Sequence, residues 1–152
     1  MASAGGAAGL LGMLAVFTLG LGGANVQDKG SEMLTEISAV RDAVRLLYAG
    51  REGYVGLSDA VLADSKKVPG KWVVPGGLTE PYGGRLHVRP TADGSGFTVS
   101  LSGIPAGACA KAGGWLVGTG AVLRVNGVVA AARNGVYGCM DGKVNALDIE
   151  SE

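Results

Sequence analysis

Two cysteines and one histidine carry the most reactive side chains of this 152-residue sequence. Cys109 and Cys139 do not form a C-x-x-C pair, and His87 alone cannot complete the four-ligand set of a zinc site. We therefore predict that the chain binds no metal. The two cysteines are then either free buried thiols or a disulfide, and the disulfide is favoured if the domain folds outside the cytoplasm.

Catalysis of the Ser–His–Asp or Cys–His type would depend on His87, the one histidine of the sequence. This residue lies between Arg85 and Arg89 in an alternating polar and apolar pattern, which predicts an outward-facing side chain on a strand. The glycine-rich fragments 94–96 and 118–120 complete no phosphate-binding motif. Four acidic residues are scattered among polar loops and are predicted to be unpaired: Asp59, Asp64, Glu80 and Asp141. We predict a protein that is not an enzyme and holds no cofactor.

The composition excludes several other classes of protein. The 13 basic and 13 acidic side chains balance, which argues against an electrostatic nucleic-acid binder. Hydrophobic residues make up 47% of the chain and the mean hydropathy is +0.31, so the chain is not disordered. Glycine occurs 28 times, where average usage would give roughly 11. These glycines have no three-residue period, which excludes a collagen-like structure.

The charged residues divide the chain in two, because all of them lie beyond residue 27. We predict a hydrophobic stem over residues 1–27 and a globular head over residues 28–152. A helix as long as the stem would cross a hydrocarbon layer of ~30 Å. Seven glycines in the first 23 residues are many for a plain membrane anchor, because each costs about 1 kcal/mol relative to alanine in a helix. No basic region precedes the apolar run, as a secretory signal would require.

The small residues of the stem favour a helix that packs closely against copies of itself. The residues predicted to pack in such a core are small or apolar: Gly5, Gly9, Gly12, Leu10, Leu11, Leu14 and Phe17. Helix propensity is poorest at three further glycines: Gly20, Gly22 and Gly23. We expect the helix to melt locally at this second set.

The first element of the head is predicted to be an amphipathic helix. Ser31 is a candidate N-cap, and Gly50 is a candidate terminator. Apolar residues follow one another at spacings of 4, 3, 4 and 3: Met33, Ile37, Val40, Val44 and Leu47. Charged residues are predicted on the opposite side of this helix: Glu36, Arg41, Asp42 and Arg45.

The remaining patterns predict a small antiparallel sheet. A short helix is expected over 57–63 with Ser58 as its cap, followed by a loop over 71–84. Strands are predicted at 85–89, 97–101, 121–125 and 143–149, with a hairpin turn at 93–96 and a helix at 104–117. The fold class is therefore α+β, with a long N-terminal helix, apolar and then amphipathic, packed on a small antiparallel sheet.

The order of these pieces resembles a type IVb pilin of the kind found in conjugative thin pili, and more distantly the toxin-coregulated pilin. The resemblance spans the whole chain, beginning with the uncharged and amphipathic halves of the helix. Short segments continue it: RLLY (45–48), GYVGLSDAVL (53–62), VP (68–69), PYGG (81–84), FTVSLSGIP (97–105), AC (108–109) and VNG (125–127).

The resemblance implies several properties of individual residues. Cys109 and Cys139 would form the disulfide that bounds the D-region of the family. Met1 would be the end processed by a prepilin peptidase and N-methylated, with the basic leader already removed. The glutamate usual at the fifth position is replaced by Gly5, so the charge-guided docking of that glutamate does not carry over.

The function implied by the resemblance is that of a major pilin. The stem would hold the subunit in the bacterial inner membrane, and assembly machinery would then polymerise it with other copies. The product would be an extracellular filament for attachment, aggregation or conjugative mating. Two alternatives stay open: a minor pilin or secretion-system pseudopilin, and a monomeric membrane-anchored envelope domain.

Overall fold

The computed structural model describes residues 28–116, 119–130 and 137–152. The predicted stem lies outside these residues, so the division of the chain at residue 27 stays a prediction. Among the described residues, no helix combines the length and the apolar character needed to cross a membrane.

The head begins with helix α1, Lys29–Leu47. Its N-cap is Asp28, whose carboxylate accepts a hydrogen bond from the backbone N–H of Gly30 at 3.0 Å. The predicted cap at Ser31 is therefore wrong, because an equally good capping residue lies one turn earlier. Ser31 is instead part of the first turn, and its hydroxyl accepts a hydrogen bond from Lys111 Nζ at 2.9 Å.

In the described part of the chain, seven strands form one antiparallel sheet in the order β1-β2-β3-β4-β7-β5-β6. Their bounds are β1 Val73–Val74, β2 Gly77–Thr79, β3 Arg85–Pro90, β4 Phe97–Pro105, β5 Val122–Val125, β6 Val128–Val129 and β7 Lys143–Ser151. In the centre of the sheet, Val99 of β4 pairs with Val88 of β3 and with Ile149 of β7. The last strand therefore lies between β4 and β5 and joins the two halves of the sheet.

Two short helices and a 3₁₀ turn complete the described elements. Helix α2 is Asp59–Asp64, and the hydroxyl of Ser58 accepts from the N–H of Val61 at 3.1 Å, so the predicted cap is confirmed. The 3₁₀ turn is Gly70–Trp72. Helix α3 is Ala106–Leu116. It begins later than predicted because Ile104 and Pro105 still pair with β7.

The predicted loop over 71–84 is wrong, because this stretch contains β1 and β2. Val73 pairs with Leu78, and Val74 pairs with Gly77. Gly76 lies in the turn between them with φ of +75°. The prolines and glycines therefore mark tight turns between very short strands rather than a structureless segment.

The apolar stripe of α1 forms one wall of the core. Four of its predicted members have no exposed surface: Met33, Ile37, Val40 and Val44. They belong to one buried apolar cluster with the inward side chains of the sheet, including Leu86, Val99, Leu147 and Ile149. Leu47, the last predicted member, is only partly buried. The α+β fold class, a helix on an antiparallel sheet, is confirmed for the head.

The predicted polar side of α1 is wrong at two positions. Glu36 is fully buried and Arg41 is 8% exposed. Residues 70–84 approach the helix near Glu36, where Trp72 Nε1 donates to Glu32 Oε2 at 3.5 Å, and the end of β7 lies against Arg41. A pattern that assumes one apolar and one solvated face cannot describe a helix packed on two sides.

Candidate functional site

The disulfide joins α3 to the connection between β6 and β7. Cys109 and Cys139 are bonded, with their Cα atoms 5.9 Å apart and a sequence separation of 30. The predicted pairing is confirmed. Cys109 is fully buried and Cys139 is partly buried against the core. Closing a loop of this size stabilises the fold by about 3.7 kcal/mol in the chain-entropy account.

The chain just after Cys139 is held to the sheet by Asn145. This side chain is fully buried. Its Nδ2 donates to the carbonyl oxygens of Ile104 at 2.9 Å and Met140 at 2.8 Å, and its Oδ1 accepts from the N–H of Met140 at 2.7 Å. Asn126 Nδ2 also donates to Asn145 Oδ1 at 3.0 Å. One amide thus binds two backbone segments and the Asn126 side chain beside the disulfide.

Sequence reasoning missed Asn145, although a signal was present. Asn145 alternates with Leu147 and Ile149, so it occupies a core-facing position of β7. A buried amide is costly unless it is hydrogen-bonded, which indicates a structural role. Its partner Ile104 is 41 residues away, at an irregularity in the pairing of β4 with β7, and no local pattern reveals that contact.

Between the two cysteines in the sequence, Gly113 of α3 lies close to the side chain of Tyr137. A Cβ atom at this position would overlap the ring of Tyr137. Tyr137 itself has φ of 55°, in the left-handed region that side chains rarely adopt. The absence of a side chain at Gly113 therefore allows the Tyr137 ring to pack directly on the helix.

The two arginines of α1 connect the helix to the end of β7. Arg41 Nε donates to Ser151 Oγ at 3.0 Å, and Arg45 Nε donates to the Glu152 backbone oxygen at 3.1 Å. Burial lowers the pKa of Arg41, the positive charge of Arg45 adds to this effect, and Asp42 opposes it. Both residues tie the helix to the end of β7; Arg41 is buried there, whereas Arg45 is exposed as predicted.

Glu36 and Glu80 are two further buried charges. Glu80 is 3% exposed, and its Oε1 accepts from the N–H of Gly84 at 2.6 Å. Burial raises the pKa of Glu36 to about 8, with the negative charges of Glu80 and Glu32 adding to the shift and Lys71 opposing it. Burial also raises the pKa of Glu80. Glu36 is therefore mostly protonated at neutral pH.

Asp59 and His87 form a pair, so the prediction that Asp59 is unpaired is wrong. Asp59 Oδ2 lies 2.6 Å from His87 Nδ1, and Asp59 Oδ1 accepts from the N–H of Val88 at 2.7 Å. The His87 side chain is 55% exposed, so its outward direction is confirmed. This contact fastens α2 to β3. Across the described ranges, no three histidine, cysteine or acidic side chains are grouped as a metal site would require.

Apolar side chains are exposed at the sheet edge beside the disulfide. Val128, Val129 and Met140 are 68%, 56% and 57% exposed and line one open cleft of about 430 Å³. We refer to these three residues as the apolar cleft. An exposed apolar surface of this kind is a candidate for contact with another protein.

Most of the predicted assembly residues belong to the stem and lie outside the described residues. They are Met1, Gly5, Gly9, Leu10, Leu11, Gly12, Leu14, Phe17, Gly20, Gly22 and Gly23. Of the predicted site residues, the structure therefore brings together Cys109 and Cys139 in the disulfide. Asn145 and Gly113 belong to the same region and were not predicted.

Comparison with solved structures defines the class of fold. The crystal structure of the type IV b pilin from Salmonella typhi aligns with a TM-score of 0.60 at 23% identity, covering 77% of this chain and 95% of that chain. The head therefore has a type IVb pilin fold, as the resemblance implied. The sequence model of the Bundlin family matches residues 23–139. The chain belongs to the Bundlin family.

Two relatives carry the same description, major structural subunit of bundle-forming pilus. One is from Escherichia coli O127:H6 (strain E2348/69 / EPEC) and the other from Escherichia coli O111:H-. Each is 26% identical over 102 residues, which cover 64% of this chain and 53% of the relative. The chain thus spans about half the length of the curated relatives it matches.

Proposed function

We propose that this protein is the major structural subunit of an extracellular type IVb pilus and that it polymerises with other copies of itself. The observation that carries the proposal is the extent of the Bundlin family match, which begins at residue 23 in the predicted stem and ends at Cys139. The match therefore includes the end of the stem, helix α1 and the whole disulfide-bounded region. The filament would serve attachment, aggregation or conjugative mating.

The stem would have two successive environments. Before assembly, residues 1–27 would hold the subunit in the inner membrane, where a prepilin peptidase processes it. After extraction, the same apolar surface would be buried by the stems of other subunits. The small residues at Gly5, Gly9 and Gly12 support this step, because they let helices approach closely. A head-to-tail contact that does not close on itself gives a filament rather than a ring.

A local break in the stem would accompany this transfer. Gly20, Gly22 and Gly23 lie just before the head, and glycine is the poorest helix former after proline. Melting at these positions would let the head rotate relative to the packed stems. A filament density with unbroken α-helix from residue 1 to residue 47 would contradict this step.

The head would supply the outer contacts between subunits. The disulfide and Asn145 hold the surface beside them in one shape, and the apolar cleft offers exposed hydrocarbon next to it. Burial of such a patch between copies would add to the burial of the stems.

Electron microscopy of material sheared from cells that express this chain tests the proposal. We expect thin filaments that bind an antibody against the head along their whole length, and none from cells lacking the gene. Labelling at a few isolated points would instead indicate a minor pilin or pseudopilin. A chain found entirely in membranes as a detergent-soluble monomer would indicate an anchored envelope domain.

A further inference from the structure

Helix α1 and the chain segment 70–84 each contribute one buried carboxyl group, and the charge of the second acts on the first. Glu36 belongs to α1 and is fully buried, and Glu80 follows β2 and is 3% exposed. Within the described residues, three of their four carboxyl oxygens have no hydrogen-bond partner: Glu36 Oε1, Glu36 Oε2 and Glu80 Oε2. The fourth, Glu80 Oε1, accepts from the N–H of Gly84.

The charged groups around this pair do not neutralise it. Glu32, one turn before Glu36 on the same helix, adds a negative charge. Lys71 on the 3₁₀ turn and Lys29 at the start of α1 are the cations that act on the pair, and both are exposed. The ammonium group of Lys71 lies 4.9 Å from the centre of the Trp72 ring. The backbone N–H groups of Gly84 and Tyr82 also favour the ionised form of Glu80, but burial outweighs these contributions and the pKa of both carboxyl groups is raised.

We propose that Glu36 and Glu80 form an acid pair that holds one proton at neutral pH, and that this proton keeps residues 70–84 closed on helix α1. A proton on one carboxyl group supplies the O–H donor that the unpartnered oxygens need. Loss of the proton to solvent leaves two negative charges in the site. The favourable response is for residues 70–84 to separate from the helix and admit water.

The segment is well suited to respond as a unit. It begins at the 3₁₀ turn, whose Trp72 is 4% exposed, and contains β1, β2 and the turn at Glu80. Its attachment to α1 includes the long hydrogen bond from Trp72 to Glu32 at 3.5 Å. The strands of this segment are only two and three residues long and lie at one edge of the sheet. Short edge strands open at lower free energy than central ones.

The direction of the pH effect follows from proton linkage. The closed state binds the proton more tightly than the open state, in which Glu36 has the ordinary pKa of 4.5. The closed state is therefore most favoured below pH 4.5 and loses this advantage as the pH rises to about 8. Within that window, opening should become about tenfold more favourable for each pH unit.

Hydrogen exchange of the full-length chain in detergent micelles tests the proposal. Protection factors, which correct for the intrinsic pH dependence of exchange, are measured for amides of residues 70–84 at pH 5.5, 6.5 and 7.5 in low urea, where local openings dominate. We expect them to fall about tenfold per pH unit in the unchanged chain. The fall should persist in the control Glu52→Gln, which removes an exposed carboxyl group. It should be clearly smaller in Glu36→Gln, in which Glu80 alone remains to titrate.

Flat protection factors in the unchanged chain, or the same fall in Glu36→Gln, would overturn the proposal. Should Glu36→Gln fail to fold, Glu80→Gln and ¹³C NMR of labelled glutamate carboxyl groups replace it. We expect one glutamate to titrate above pH 7, and its midpoint to fall by more than one pH unit in Glu80→Gln. A spectrum in which every glutamate titrates below pH 6 would also overturn the acid pair.

Discussion

Arg41 on helix α1 donates a hydrogen bond to Ser151 on strand β7, and the two residues are 110 positions apart in the sequence. The guanidinium group is largely removed from water, since Arg41 is 8% exposed, and Ser151 is 4% exposed. A buried donor that loses its partner costs more than the bond contributes when it is intact. This contact therefore ties the helix to the end of strand β7.

Replacing Ser151 by alanine should lower the free energy of unfolding by about 1–3 kcal/mol, because the Arg41 guanidinium loses its acceptor. Urea denaturation followed by circular dichroism measures the change. Ser102→Ala, on the exposed face of β4, should change stability by less than about 0.5 kcal/mol. Equal stability of the two variants would show that the hydrogen bond contributes nothing.

Replacing Glu36 by glutamine should stabilise the whole head at alkaline pH. The raised pKa of about 8 means that ionisation of Glu36 opposes folding as the pH rises from 4.5 to 8. At pH 8 we expect a gain on the order of a few kcal/mol over the unchanged chain, shrinking to almost nothing at pH 4.5. Denaturation midpoints at the two pH values provide the measurement. A gain of the same size at both would contradict the assigned titration.

Truncating Asn145 to alanine should lower stability by about 2–4 kcal/mol, since Ile104 and Met140 lose their buried partner. The exchange protection of the Met140 amide should fall at the same time, because its N–H donates to Asn145. Val144→Ala is the neighbouring control, since Val144 is 58% exposed, and should have an effect below about 0.5 kcal/mol. Unchanged protection at Met140 would speak against the anchoring role.

Replacing Gly113 by alanine should destabilise the head by about 1–3 kcal/mol, because the new Cβ atom would overlap Tyr137. Gly107 of the same helix has open space around it, so Gly107→Ala should instead stabilise α3 by up to about 1 kcal/mol. If this packing is correct, thermal denaturation shows a lower melting temperature for Gly113→Ala and a higher one for Gly107→Ala. A shift in the same direction for both would not fit it.

Replacing Cys139 by serine should reduce assembled filaments more than it reduces subunit in the membrane. The loop that ends at Cys139 loses roughly 3–4 kcal/mol of cross-linking stabilisation, while the stem is untouched. Immunoblots of sheared and membrane fractions give the two quantities. Filaments at the yield of the unchanged chain would indicate that the disulfide is dispensable for assembly.

The predictable part of the fold is the part governed by local periodicity. Met33, Ile37, Val40 and Val44 repeat at helical spacing, and alternation predicted the strands around Val88 and Val99. Both patterns depend on one element having one buried face. They therefore located the helix and the central strands correctly.

The errors occur where a contact from a distant segment overrides the local pattern. Glu36 looks solvated until residues 70–84 cover it, and Asp59 looks unpaired until His87 lies beside it, 28 residues later. Asn145 is a polar residue in an inward position whose partners are set by the irregular pairing near Ile104. Such contacts depend on the assembled topology, and no local window of sequence contains them.

The position of β7 in the sheet has a consequence for the order in which the head can fold. Strands β1 to β4 form one hydrogen-bonded half and β5 with β6 the other, and β7 supplies the ladder between them. During synthesis, the edges of β4 and β5 that pair with β7 therefore stay unpaired until residues 143–151 have emerged. Both cysteines are available for oxidation before that point. Open edges of this kind are the sites at which chains aggregate. The growing chain is thus exposed to misassociation until β7 has paired with both strands.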